Sequence, residues 1–258
     1  MAAVTWAYLT YLALPIVLLF VGSLGESWTN TLFPSGLTGE WYRQVIEDPS
    51  FTRAFFTSLK VTGGTCLAGT LLGLPLAYAA VSATGGAFSR LVRFAMLVPV
   101  AAPEITLGFG FIIAFSTAAT PWLGSPWLLV AGHTLLTLPY LVATLMSDMA
   151  ALRLSEMEAA AASLGAGFWR RLLDIVVPVS ATSLLTGLVT VSAISIGEFQ
   201  LSNLIAGFLD RTYPIVLLQA FYGATGFACA ATVILLVLSL FTGTASAVLS
   251  SATMKERS

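Results

Sequence analysis

Runs of about 20 predominantly apolar residues follow one another along this chain of 258 residues, and each is long enough to cross the ~30 Å hydrocarbon core of a bilayer. That recurrence narrows the possible folds more than any other feature. Charged residues make up 9% of the sequence, against about 25% in soluble domains, and the mean hydropathy is +0.92. The chain reads as an all-α polytopic membrane protein. A formal net charge of −1, with no basic run longer than Arg170-Arg171, gives no nucleic-acid signal.

Hydropathy predicts six transmembrane helices, near 5–25, 54–81, 94–117, 127–148, 176–204 and 227–250, in a single domain over 1–258. No Lys or Arg precedes the first run, so it reads as a retained span; a cleaved signal peptide carries a basic leading region. Cys66 and Cys229 sit inside apolar runs and read as small lipid- or helix-facing residues. The segment 26–53 is polar and aromatic, with Trp28, Trp41 and Tyr42 beside the turn formers Pro34, Gly36 and Gly39. Its end, "GEWYRQVIEDPSFTRAF", predicts a short surface helix broken at Asp48-Pro49. Two readings stand for this segment, a partner contact or an interfacial belt.

Orientation follows from Lys and Arg. Arg90, Arg93, Arg153, Arg170, Arg171, Lys255 and Arg257 fall on one side, seven in all, while Arg43, Arg53 and Arg211, with Lys60 snorkelling, fall on the other. The first set predicts a cytoplasmic face carrying the 149–175 loop and the 251–258 tail, and an even span count puts the N-terminus there too. The segments "GAFSRLVRFAMLVPV" (86–100) and "GFWRRLLDIVVPV" (167–179) look alike, as an internal repeat or as two basic approaches to the membrane.

The charged stretch "EMEAAAASLGAGFWRRLLDIVVP" (156–178) interrupts the apolar pattern. Leu154, Met157, Ala161 and Leu164 recur at spacings of three and four and predict one shared face of a short helix. The acids at its start suit the positive end of the helix dipole. Gly165 and Gly167 interrupt it, each costing about 1 kcal/mol against alanine in a helix interior. A second short helix follows, with Pro178 where the chain returns to the membrane. The prediction is a helix–glycine–helix elbow. Its small alanine-rich surface could enter a groove on a partner, or it could simply close the turn between two spans.

Here the sequence resembles the permease subunits of binding-protein-dependent ABC importers of type I. Their cytoplasmic loop before the penultimate span reads Glu-Ala-Ala, three residues, Gly, nine residues, Ile, two residues, Pro. Gly165, Ile175 and Pro178 match that spacing, and Ser163-Leu164-Gly165-Ala166 matches the usual "SLGA". The glutamate position holds Ala159, with Glu158 one residue early. "FTRAFFTSLKVTGGTCLAGTLLGLPLAYAA", "APEITLGFGFI" and "SIGEFQLSNLIAG" extend the likeness and are similar to the spermidine/putrescine branch and its iron(III), thiamine and aminoethylphosphonate relatives. The resemblance implies a six-helix permease of the bacterial inner membrane that couples through Glu158, Ala159, Ala160, Ser163, Leu164, Gly165, Ala166, Ile175 and Pro178. It also implies a cytoplasmic ATPase dimer that binds ATP and Mg, a second permease subunit and an extracytoplasmic substrate-binding protein. No cofactor is implied on this chain itself.

Other classes fit less well. Lys60 and Lys255 follow Leu59 and Met254, so no phosphate-cradling Gly-Lys-Ser/Thr loop exists. With His133 the only histidine, a two-histidine zinc helix is impossible, and no G-x-S-x-G elbow is present. A stand-alone channel or secondary transporter would need ionisable groups within the membrane. Glu104, after Pro103, and Glu198, in "IGEF", qualify as candidate pathway residues, with His133 behind them. A carboxylate in a dry passage would suit a polyamine, so polyamine is the expected cargo. Pro99 and Pro103 predict a bend in the third span.

Overall fold

The computed structural model describes residues 2–27, 34–83 and 86–255, with side chains from 4 to 240 within them. Trp28 and Arg257 lie outside the described residues, as does the side chain of Lys255. Every named element among the described residues is helical. The helices are α1 (Ala2–Leu24), α2 (Glu40–Glu47), α3 (Pro49–Ser82), α4 (Ala87–Ala101), α5 (Glu104–Phe115) and α6 (Pro126–Ala151). There follow α7 (Leu154–Ser163), α8 (Phe168–Arg171), a π turn (Leu172–Val176), α9 (Val177–Gly197), α10 (Gln200–Ile205), α11 (Tyr213–Phe221) and α12 (Thr225–Lys255).

Four single helices are long and apolar enough to cross a membrane: α1, α3, α6 and the continuous Phe168–Gly197 rod formed by α8, the π turn and α9. The span expected at 94–117 is instead the pair α4 and α5, bent by 97° between Ala101 and Glu104. Pro103 explains the break: it lacks an N–H, and it disfavours helical geometry at Ala102, which adopts ψ 131°. The sixth expected span falls within α12, a 31-residue helix whose apolar stretch with described side chains, Thr225–Leu240, is shorter than a full span, so the count of six is not reached among the described residues. The fifth differs at both ends from the expected 176–204. It starts at Phe168 and stops at Gly197, where Glu198 turns extended. The π turn lies just before Pro178 and widens the helix where a proline ring would otherwise press on the carbonyl four residues back. The two look-alike segments therefore diverge, one ending at a break and the other running on through a π turn.

The expected break at Asp48-Pro49 is present. The Asp48 carboxylate accepts from Ser50 N at 2.7 Å and Phe51 N at 3.2 Å, and Pro49 occupies the first turn of α3. At 34 residues, α3 runs for about 51 Å and packs mainly on α6 and α9. Close approach there depends on small residues. Gly69 and Gly73 of α3 and Gly187 of α9 all meet the side chain of Leu141 on α6, which is fully buried. Residues 206–224 hold a helix that hydropathy did not separate from its surroundings: α11 buries Tyr213, Ile215, Val216 and Leu217 against α3 and α12. Both cysteines face helices, with Cys66 Sγ 3.2 Å from Ser192 Oγ and Cys229 buried beside Gly22.

A close backbone approach joins the loop before α6 to the loop after α10. Gly124 N donates to Ile205 O at 3.1 Å, and a Cβ at Gly207 would collide with the carbonyl of Gly124. A backbone carbonyl cannot swing aside as a side chain can. Gly207→Ala should therefore lower the thermal midpoint of the detergent-solubilised protein by an overpacking cost of about 1–3 kcal/mol. Gly63→Ala, which meets nothing within 4 Å, should not lower it.

Candidate functional site

Two helix breaks converge. A cleft of about 320 Å³ is lined by Pro99, Ala102, Pro103 and Glu104 at the first break, by Leu136 and Tyr140 of α6, and by Ile194 and Gln200 on either side of the second. Membrane helices tolerate such interruptions where the freed backbone is buried in protein or lines a cavity. Glu104 is half-buried in the first turn of α5, and its carboxylate shares the cleft with the Tyr140 and Gln200 side chains.

Glu198 sits differently. It is 5% exposed, and both of its oxygens are engaged: Oε1 accepts from Leu201 N at 2.7 Å, and Oε2 from Ser202 N at 2.9 Å and from the Ser202 hydroxyl. These bonds take up first-turn N–H groups of α10 that the break would leave unpaired. His133, 1% exposed on α6, bridges the break to α9. Its Nε2 lies 2.8 Å from Ser202 Oγ and 3.3 Å from Glu198 Oε2, and its Nδ1 lies 2.8 Å from Ser195 Oγ. An ionised carboxylate only accepts, so the Ser202 proton goes to Glu198 and Ser202 Oγ accepts from Nε2–H. In the neutral ring Nδ1 then accepts from Ser195, whose oxygen lies 3.1 Å from Thr62 Oγ1 of α3. One closed network thus ties α3, α6, α9 and α10 together around the second break. Of the three residues picked out inside the membrane, Glu104 opens to the cleft, while Glu198 and His133 hold its wall. Tyr140 and Gln200 carry no charge or motif, so only the convergence of the breaks singles them out.

The elbow stands apart from this cleft, beyond the far end of α6. Arg153 takes the left-handed conformation (φ 53°) in the turn from α6 to α7. At the other end of α7, Gly165 N donates to Ala162 O at 2.9 Å and Ala166 N to Ala161 O at 3.0 Å, with Gly165 at φ 85°. This pair of bonds is the Schellman closure, which needs a left-handed residue and so favours glycine. Gly165 therefore ends α7 rather than interrupting a helix interior.

The expected shared face of Leu154, Met157, Ala161 and Leu164 does not form. Leu154 is fully buried, whereas Met157 is 42% and Leu164 88% exposed. The inward stripe is Leu154 with Glu158, four residues on, and Leu164 lies past the last helical turn. Ala159, Ala160, Ser163, Leu164 and Gly165 are exposed together, and Ala166 and Ile175 are half-buried. Pro178 is exposed just beyond the π turn. Of the acids at the start of α7, Glu156 pairs with Arg153 at 3.3 Å and Glu158 is buried.

Residues 69–255 match the family model described as a binding-protein-dependent transport system inner membrane component. A spermidine/putrescine transport system permease protein of Escherichia coli strain K12 is 27% identical over 91% of this chain and 87% of its own length. A protein assigned to 2-aminoethylphosphonate transport as a permease in Salmonella typhimurium is 24% identical, over 74% and 71% respectively. Among solved structures, a chain of a bacterial alginate ABC transporter in complex with an alginate-pentasaccharide-bound periplasmic protein superposes with a TM-score of 0.72. That match covers 96% of this chain and 92% of the other at 16% identity.

The buried network and the open carboxylate should respond differently to substitution. Glu198→Ala orphans buried donors, each costing about 1–3 kcal/mol, so thermal unfolding in detergent should fall sharply. Glu104→Gln should leave the midpoint within the ±0.5 kcal/mol or so typical of accessible positions. Equal midpoints for the two variants would contradict the division of roles.

Proposed function

The chain belongs to the family of binding-protein-dependent transport system inner membrane components, the permease subunits of ABC importers, and on that premise we propose that it forms half of a solute pathway driven through its elbow by a separate ATPase. One observation carries this reading. The exposed, small-surfaced turn at Ala159–Gly165 continues into the Phe168–Gly197 rod, whose far end reaches the break that lines the Glu104 cleft. Over 30 residues such a rod spans about 45 Å. A push on the elbow would thus reach the cleft along one helix.

In this account the elbow and both termini face the cytoplasm, where the ATPase dimer holds ATP and Mg. A second, related permease completes the pathway. An extracytoplasmic binding protein delivers the cargo. Gly165 bears on the ATPase contact: beyond its chain neighbours, no atom of the described residues lies within 4 Å of its Cβ position, so bulk added there would project outward toward a partner.

The proposed cargo carries a protonated amine, with a polyamine as the favoured member. Support comes from the half-buried Glu104 carboxylate in the cleft, beside Tyr140 and Gln200. Glu198 no longer adds to that argument, because both its oxygens are bonded internally. The amine of 2-aminoethylphosphonate could use the same carboxylate, although its phosphonate would find no basic partner among the cleft residues.

Two substitutions test the reading. Gly165→Trp should abolish ATP-driven uptake while the chain still inserts in the membrane; normal uptake would contradict the coupling role. Glu104→Gln removes a charge-assisted contact worth about 1.5–3 kcal/mol. It should slow uptake of labelled putrescine about tenfold or more in cells expressing the complete importer. Wild-type rates would remove the carboxylate from the cargo account.

A further inference from the structure

The matched family pattern places its glutamate where this chain has Ala159, and the chain carries its acid one residue earlier. Successive residues on an α-helix point about 100° apart, so the displacement changes what the carboxylate meets. Ala159 is exposed, whereas Glu158 is 5% exposed and turned into the protein. Tyr78 Oη donates to Glu158 Oε1 at 2.7 Å, and Ser82 Oγ donates to Oε2 at 3.4 Å. Arg171 Nη1 lies 3.7 Å from Oε1. Tyr78 and Ser82 belong to the last turns of α3, and Arg171 to the first turn of the long rod. The Phe168 ring adds a tilted contact to Tyr78, with ring centroids 6.4 Å apart.

We propose that Glu158 is a positioning residue that fastens the elbow to α3 and to the base of the rod, so that the three move as one body. The joints on either side of α7 make such a fastening necessary. The turn into α7 is a single left-handed residue, Arg153, and the turn out is Gly165-Ala166-Gly167, where, beyond the chain neighbours, no atom of the described residues lies within 4 Å of either glycine's Cβ position. A push applied to α7 alone would be absorbed as pivoting at these joints. The carboxylate closes them from inside. It is buried among a phenol, a hydroxyl and a guanidinium, two of which come from α3, an element the backbone path of the elbow does not reach for some 70 residues. Arg171 Nε is buried with no acceptor among the described residues, and Glu158 is the carboxylate those residues place within 4 Å of its guanidinium. Glu158 therefore acts through α3 and the rod, and the partner-facing surface of α7 is left to Ala159, Ala160 and Leu164.

The inference rests on the proposed coupling role, and its test separates the two. Spin labels at Met157→Cys and Leu71→Cys, both exposed and neither on the partner-facing surface, report the elbow-to-α3 distance in a chain carrying Cys66→Ser and Cys229→Ala. The distance distribution is measured in nanodiscs for the chain alone, and for the chain with its copurifying ATPase before and after ATP and vanadate. Without nucleotide, Tyr78→Phe and Glu158→Gln should broaden the distribution; an unchanged width in both overturns the fastening, even if no ATPase is ever recovered. With ATPase and nucleotide, the parent distance should shift by no more than about 2 Å, the scale of helix adjustments in a packed interface. The variants should retain the ATPase and shift at least twice as far. Loss of the ATPase from Glu158→Gln but not from Tyr78→Phe would make Glu158 a partner contact and overturn the proposal. Recovery of no ATPase with the parent chain would contradict the coupling role instead.

Discussion

A carboxylate inside a membrane protein must find donors or carry a penalty of several kcal/mol, and much of this architecture follows from how Glu198 finds them. A helix stopped at Gly197 leaves α10 with unpaired N–H groups, and the same side chain that would be costly alone caps them. Once Glu198 is fixed, Ser202 and His133 have defined roles, and through Ser195 and Thr62 the network reaches α9 and α3. The break is thereby a rigid feature of the wall. Its partner break at Pro103 rests on proline chemistry, and the cleft exists because the two breaks meet.

The elbow repeats this logic at a second site. There too a buried glutamate joins elements far apart in sequence, and there too a helix end is closed by backbone geometry that few residues tolerate. Gly165 supplies the left-handed conformation, while Glu158 supplies the tie. Between the two sites runs one helix, made continuous past Pro178 by a π turn. Rigid transmission needs all three parts, and a straight α-helix with a proline at that point would kink.

Much of this was legible in the sequence, and the failures have physical causes. Long apolar runs located the four single helices that can cross a membrane, and Asp48-Pro49 marked a helix break. Spacing of Gly165, Ile175 and Pro178 marked the elbow and, with the family model, the class of protein. Hydropathy could not give the 97° angle of the bend that Pro99 and Pro103 marked in the third span, because an apolar run carries no angular information. It also merged α11 into a loop, although "TYPIVLLQAF" carries a proline in its first turn and an apolar run that signal a short helix. Periodicity chose the wrong face of α7. The buried stripe there pairs Leu154 with an acid, and an acid is counted as outward unless its partners are known. For the same reason Glu198 and Glu104 looked equivalent. Only the positions of Ser202, His133 and two backbone N–H groups distinguish a structural carboxylate from an open one.

The central claim is that this chain transmits a partner's energy to a membrane cleft, and copurification tests it most directly. The chain would be tagged at its C-terminus, extracted in mild detergent from cells expressing its neighbouring genes at native level, and its companions identified by mass spectrometry. An ATPase and a second permease are expected to copurify in fixed proportion. A chain that purifies alone, folded and stable, would contradict the claim and leave the elbow as a surface turn of a self-sufficient channel or secondary transporter.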